Sequence, residues 1–203
     1  MIFKNWIEEF RLENKPLVGP FFYATPLALR FEIGPAEEAE ELPRKVYLDR
    51  AYARAVELLD RASSAYDYVV LSLLRQVDRD IDSYLWHFTS KFNFNKCPEP
   101  ELIEVEDWTG EVLVFERYLF PVTDQDLKAL LWEIIKADHG GFQYLSASLI
   151  FLSSKEKVLY HCYDDRGVDI ALVDDDKRRQ LFTDCHDLLF DYDMEEMVRR
   201  MES

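Results

Sequence analysis

The stretch from residue 146 to 173, SASLIFLSSKEKVLYHCYDDRGVDIALV, decides the fold. It holds three apolar runs, Ser146 to Leu152, Lys157 to Tyr163 and Val168 to Val173. Short polar joints part them, Ser153-Ser154-Lys155-Glu156 and Asp164-Asp165-Arg166-Gly167. Branched and aromatic residues in runs of this length, separated by turn formers, predict three strands joined as an antiparallel meander. In the second joint Gly167 is expected to supply a positive φ at the end of the turn.

Upstream of the meander, Val112 to Phe120 reads as a further strand that leads into a helix. Thr123 is the expected N-cap of that helix, with Asp124 and Asp126 in a first turn where carboxylates favour the helix dipole. The helix should bury Leu127, Leu130, Leu131, Ile134 and Ile135 and end at Gly140-Gly141. Downstream of the meander, Asp174-Asp175-Asp176 suits a helix start, and Leu181, Phe182, Cys185, Leu188 and Leu189 keep helical spacing. Met194, Met197, Val198 and Met201 form the apolar side of a last helix.

In the amino-terminal half, Leu48, Ala51, Tyr52, Ala55, Val56 and Leu59 recur at helical spacing, so residues 44–62 read as an amphipathic helix lying on a sheet. The runs Ala28 to Ile33 and Tyr66 to Leu74 flank it as strands. Strands and helices are mixed without regular alternation, which favours an α+β fold, a largely antiparallel sheet with helices packed on it, over a doubly wound parallel sheet. Lys96-Cys97-Pro98-Glu99-Pro100 reads as a loop within one domain spanning residues 1–203, because each proline disfavours helix in its predecessor. No 20–50 residue repeat is evident.

The 203 residues carry 40 acidic and 24 basic side chains, a net charge of −16. That excess repels phosphate backbones and anionic lipid, which argues against nucleic-acid and membrane-surface roles. Residues 101–203 hold 24 of the acidic groups and only 11 of the basic ones. Cys97, Cys162 and Cys185 lack paired spacing, so a reducing, cytoplasmic setting is expected. The start, MIFKNWIEEF, meets Glu8 and Glu9 before any long apolar run, so no secretory leader is expected. The longest uncharged stretch, Gly140 to Ser154, is too short and too polar to span a bilayer.

Recognisable nucleotide-binding and hydrolase motifs are absent: there is no G-x-x-x-x-G-K-[ST], G-x-G-x-x-G, G-x-S-x-G or H-E-x-x-H. Within YDDRGVDI, Asp164, Asp165 and Asp169 accompany Arg166. Oxygen ligands of this kind can hold a divalent cation. Asp and Gly are also favoured turn residues, and that structural reading is preferred. His161-Cys162 and Cys185-His186 lack zinc-site spacing, and neighbours on a strand point to opposite faces, so neither a zinc site nor any cofactor is expected. His87 and His139 stand alone.

Three strings in order, LRFEIG (29–34), YHCYDDRGVDI (160–170) and LLFDYD (188–193), resemble a bacterial family known as domain of unknown function 3885. The resemblance implies a strand ending in a Tyr-Asp-Asp-Arg-Gly turn, then a helix and a carboxyl-terminal Asp-Tyr-Asp. Asp164, Asp165, Asp191 and Asp193 match that pattern. Family members often carry a tryptophan just before the last motif and a basic residue just after it, where this chain has Phe190 and Met194. The resemblance implies no activity.

Glu99, Glu101, Glu104, Glu106, Asp107 and Glu111 form an acidic stretch with no basic residue, and Glu101, Glu104, Glu106 and Asp107 are its candidate partner-binding groups. The expectation is a non-enzymatic module that binds a basic protein, for example an immunity-type protein facing a basic toxin. The alternative is a metal-dependent hydrolase built on Asp164, Asp165 and Asp169, with Asp191 and Asp193 as further carboxylates.

Overall fold

The computed structural model describes residues 2–12, 18–75, 80–106, 109–123, 125–139 and 147–202. Seven strands form one sheet: β1 (Ala28–Glu32), β2 (Tyr68–Leu74), β3 (Glu101–Glu106), β4 (Val112–Pro121), β5 (Ser148–Ser153), β6 (Val158–Cys162) and β7 (Gly167–Leu172). Their order is β1-β7-β6-β5-β2-β4-β3, with every neighbouring pair antiparallel. The helices are α1 (Ile2–Glu9), α2 (Ala36–Glu41), α3 (Arg44–Ala62), α4 (Ile81–Lys91), α5 (Leu127–Ile135), α6 (Asp175–Asp184) and α7 (Met194–Glu202). The fold is α+β, and the carboxyl-half strands β5, β6 and β7 form the meander that their sequence predicts. No helix among the described residues is long and apolar enough to cross a membrane.

The strand–helix–strand unit β1–α3–β2 is present, but the meander is inserted between its two strands. Every residue of β6 and β7 is buried, because helices or loops cover both sheet faces. On one face, Tyr160 donates its hydroxyl to the Ala55 carbonyl of α3 (2.8 Å), and Phe120 meets Phe88 of α4 at 5.4 Å between ring centres. On the other, α1 places Phe3 over the Arg117 guanidinium and Trp6 against Tyr68. The loop before β1 lays Phe21 beside His161 on that same face.

Several boundaries move from the sequence reading. The N-cap of α5 is Asp126, which accepts from the amides of Lys128 and Ala129; the amide of Thr123 instead donates to the Gln125 side chain. Asp124, Gly140, Gly141 and Ser146 lie outside the described residues. Lys157 belongs to the β5–β6 turn with φ 55°, and its amine reaches Glu9 at 3.0 Å. The helical spacing from Leu181 to Leu189 breaks at Cys185: α6 ends there, one 3-10 turn follows, and Leu189 then bridges to Phe31. In α7 Val198 faces solvent and Arg200 takes the inward place. Its Nη1 donates to the carbonyls of Phe22, Thr25 and Ala28, and its guanidinium lies 4.2 Å from the Phe22 ring. Within the acidic stretch, Glu101–Glu106 form strand β3.

Candidate functional site

Arg30 sits on β1 directly opposite Asp169 on β7. Its Nε and Nη2 donate to the two carboxylate oxygens of Asp169 at 2.8 and 3.1 Å, and its Nη1 donates to Asp193 at 3.2 Å. Asp169 is fully buried, and one of its oxygens also accepts the amides of Phe21 and Phe22 at 2.9 Å each. Tyr23 donates its hydroxyl to Asp193, and the rings of Phe22 and Tyr23 lie 4.8 and 5.1 Å from the guanidinium. Burial alone would depress the Arg30 pKa, but the hydrogen bond and charge of Asp169 outweigh it and hold the guanidinium above its ordinary value. A fork-on-carboxylate pair of this kind is the strong form of ionic hydrogen bond.

Each of the three motif strings thus contributes one member to a single junction: Arg30 from the first, Asp169 from the second and Asp193 from the third. Asp191, two residues before Asp193, faces solvent.

The Asp164–Gly167 turn is built by an aspartate. Asp164 Oδ1 accepts the amides of Arg166 (2.8 Å) and Gly167 (3.2 Å), while its other oxygen takes the Arg166 side chain, the Asx chemistry expected of the sequence. Gly167 does not have positive φ; Gly110 is the described glycine that does, at 85°. Glycine is required at 167 by space: a Cβ there would lie 1.8 Å from the Tyr163 hydroxyl oxygen. Gly167→Ala is therefore expected to cost roughly 1–3 kcal/mol through overpacking. Tyr163→Leu in the same chain should recover part of that loss, as urea unfolding of both variants would show; equal losses with and without Tyr163 would contradict the steric account.

The three carboxylates of the hydrolase reading do not share one centre. Asp169 is spent on Arg30 and two amides, whereas Asp164 and Asp165 lie with Asp138, their ligand atoms within 4.8 Å of one another. Among the described residues, Asp138, Asp164 and Asp165 form a group that could hold a cation, yet each of the last two has protein partners: Arg166 for Asp164, and His139 Nε2 at 2.9 Å for Asp165. Asp174 caps α6 through the Lys177 amide, and Asp175 pairs with Arg179 at 2.8 Å, so this acidic triplet serves the helix start. His161 and Cys162 point to opposite faces of β6, and Cys162 and Cys185 are buried thiols while Cys97 is exposed. Burial pushes the Cys162 thiol well up, which disfavours the thiolate form.

Beside the Arg30 junction a cleft of about 360 Å³ opens. Arg30, Glu32 and Gly34 line it from the first string, Tyr163 and Arg166 from the second, and Phe190 from the third. Glu32 is half-buried, and neither a hydrogen bond nor an ion pair to it exists among the described residues. Burial, then the charges of Glu37 and Asp191, push its carboxyl above the ordinary range. Neither this cleft nor Arg30 is among the candidates expected from sequence. The signal was a charged residue at the inward position of LRFEIG, whose partner lies 139 residues away.

On the acidic side, β3 lies at the far end of the sheet and pairs with β4 alone among the described residues. Glu101 meets the buried Arg117 at 2.6 Å. Glu104 and Glu106 are exposed, with Leu102 between Glu101 and Glu104 at 58% exposure. Asp107 lies outside the described residues.

The sheet, the helices on both its faces and the three-string junction define an α+β protein whose ends are tied together at one sheet edge. The chain belongs to the family described as Domain of unknown function (DUF3885), whose model matches residues 3–193. No curated protein and no solved structure matches it.

Proposed function

We propose that the chain is a non-enzymatic, acidic module of the bacterial cytoplasm that binds a basic protein at the open edge strand β3, in the manner of an immunity-type protein facing a basic toxin. The observation that carries this reading is the contrast between the two sheet edges. Strand β1 is covered, since Phe31 bridges to Leu189 and the Phe190 amide donates to the Arg30 carbonyl at 3.0 Å. Strand β3 offers an unpaired backbone edge among the described residues, with Glu101, Glu104 and Glu106 along it and Leu102 exposed. Repeated carboxylates on an edge disfavour pairing with another copy, and they suit a lysine- or arginine-bearing strand. Electrostatic attraction of that kind speeds encounter and rejects acidic partners.

The hydrolase reading has less support, because Asp169 is already fully occupied by Arg30 and the amides of Phe21 and Phe22.

The test is charge reversal. Proteins retained from the native cell extract by the tagged chain and by its Glu104→Lys/Glu106→Lys variant are quantified side by side, with thermal unfolding as a control for folding. The expected outcome is a basic protein retained by the wild type and reduced about tenfold or more by the variant, roughly 1.4 kcal/mol or more of binding. Equal retention by a normally folded variant would reject β3 as the docking edge.

A further inference from the structure

The cleft beside the Arg30 junction has a chemistry that neither its family membership nor the β3 edge explains. Its two cations are already neutralised: Arg30 faces both Asp169 and Asp193, and Arg166 is held by Asp164. Its one carboxylate is not. Glu32 projects from β1 into the cleft without an ion-pair partner among the described residues, and Arg54, the cation that partly offsets its charge, is engaged with Glu38 at 2.7 Å. Glu37 and Asp191 add negative charge at the same spot. Phe190 and Tyr163 give aromatic walls, and Tyr192, 84% exposed, continues the aromatic surface with its ring centre 6.3 Å from that of Phe190.

We propose that this cleft is a socket for one arginine side chain of a protein partner, with Glu32 receiving the guanidinium and Phe190 stacking against it. The guanidinium is a planar fork that binds a carboxylate through two parallel hydrogen bonds and stacks on aromatic faces, whereas an ammonium is a compact, strongly hydrated point charge. A half-buried carboxylate beside a ring therefore selects arginine over lysine. An anionic ligand would meet Glu32, Glu37 and Asp191, and of the two arginines that line the cleft only Nη1 of Arg166 is left without a carboxylate among the described residues. The socket is independent of the β3 edge, which lies at the opposite end of the sheet.

The test uses small probes on the full chain, followed through backbone amide NMR signals of Gly34, Arg166 and Phe190. Nα-acetyl-arginine methylamide is expected to shift these signals saturably. The neutral isostere Nα-acetyl-citrulline methylamide should bind about tenfold more weakly or not at all, and the lysine analogue should fall between them. Glu32→Gln should lose the arginine response by about tenfold while unfolding at or above the wild-type midpoint, because it removes an unpaired, repelled charge. Any of these results would overturn the assignment: no arginine response at these amides, equal response to citrulline, an undiminished response in Glu32→Gln, or saturation by inorganic phosphate at the same amides. Tighter binding of free arginine than of the capped form would equally reject a protein side chain as the occupant. Since Glu104 and Glu106 do not line the cleft, the Glu104→Lys/Glu106→Lys variant should respond as the wild type does, so failure here and failure at β3 are separately visible.

Discussion

Asp169→Ala is expected to lower the unfolding free energy by roughly 3–5 kcal/mol, the usual consequence of removing one partner from a buried ion pair. Three losses combine. The Arg30 guanidinium, its side chain only 12% exposed, would keep Asp193 as its one remaining carboxylate, and the amides of Phe21 and Phe22 would lose their acceptor. Unsatisfied buried donors each cost about 1–3 kcal/mol. Arg30→Met should cost a comparable amount, since it strands a carboxylate with no exposure to solvent. The double variant should cost clearly less than the sum of the two, because the stranded charge is gone in it. Arg30→Lys keeps the charge but loses the fork, and should lie between wild type and Arg30→Met. Urea unfolding of the four proteins checks this; a loss under about 1 kcal/mol for Asp169→Ala, or strict additivity, would mean that the junction does not hold the three strings together.

The second large effect is pH dependence set by His161. This ring is buried on β6 with Nδ1 unpartnered among the described residues and Nε2 3.4 Å from Ser148 Oγ. Burial is the chief cause that lowers its pKa from the ordinary 6.5 to about 3, with Arg30 adding to the effect and Asp164 opposing it. The unfolded chain takes up a proton as pH falls through 6.5, while the folded chain does not until about 3. Stability from this residue is thus complete above pH 6.5 and drains away as pH falls towards 3. At about 1.4 kcal/mol for each pH unit, the loss reaches roughly 2 kcal/mol at pH 5 and roughly 4 at pH 3. His161→Gln, which does not titrate, should flatten the stability curve between pH 7 and 5 by about that 2 kcal/mol. Parallel curves for the two proteins would show that the ring is hydrated or protonated in the folded state.

The parts of the fold written in local pattern were legible from sequence. Short apolar runs parted by the turn formers SSKE and DDRG predict the meander, and the spacing from Leu48 to Leu59 predicts α3, because both depend on neighbours within a few residues. Strand β3 is hard to read from sequence: in ELIEVE only Ile103 to Glu106 alternate, and three glutamates in six residues read as a charged surface. Helices α1, α2 and α4 are not among the expected elements, nor is the insertion of the meander between β1 and β2. Those are tertiary facts with no short-range signature. The same division applies to the site. The YDDRG turn could be read from residue types, although the reason for Gly167 is the Tyr163 ring and not its own backbone. Asp169 lies near Asp164 and Asp165 in sequence, yet strand alternation turns it to the face where Arg30 waits. The three strings resembling the family shared no visible reason to occur together until Arg30, Asp169 and Asp193 met.

Recognition of positive charge on a protein is tested most directly by the association rate of the retained basic partner measured across ionic strength. Exposed charges are screened within about 8 Å at physiological salt, so steered encounter slows as salt rises. The expected result is a steep fall in association rate for the wild type from low to physiological salt, and a slower, nearly salt-independent rate for Glu104→Lys/Glu106→Lys. A wild-type rate that does not change with salt would contradict the account.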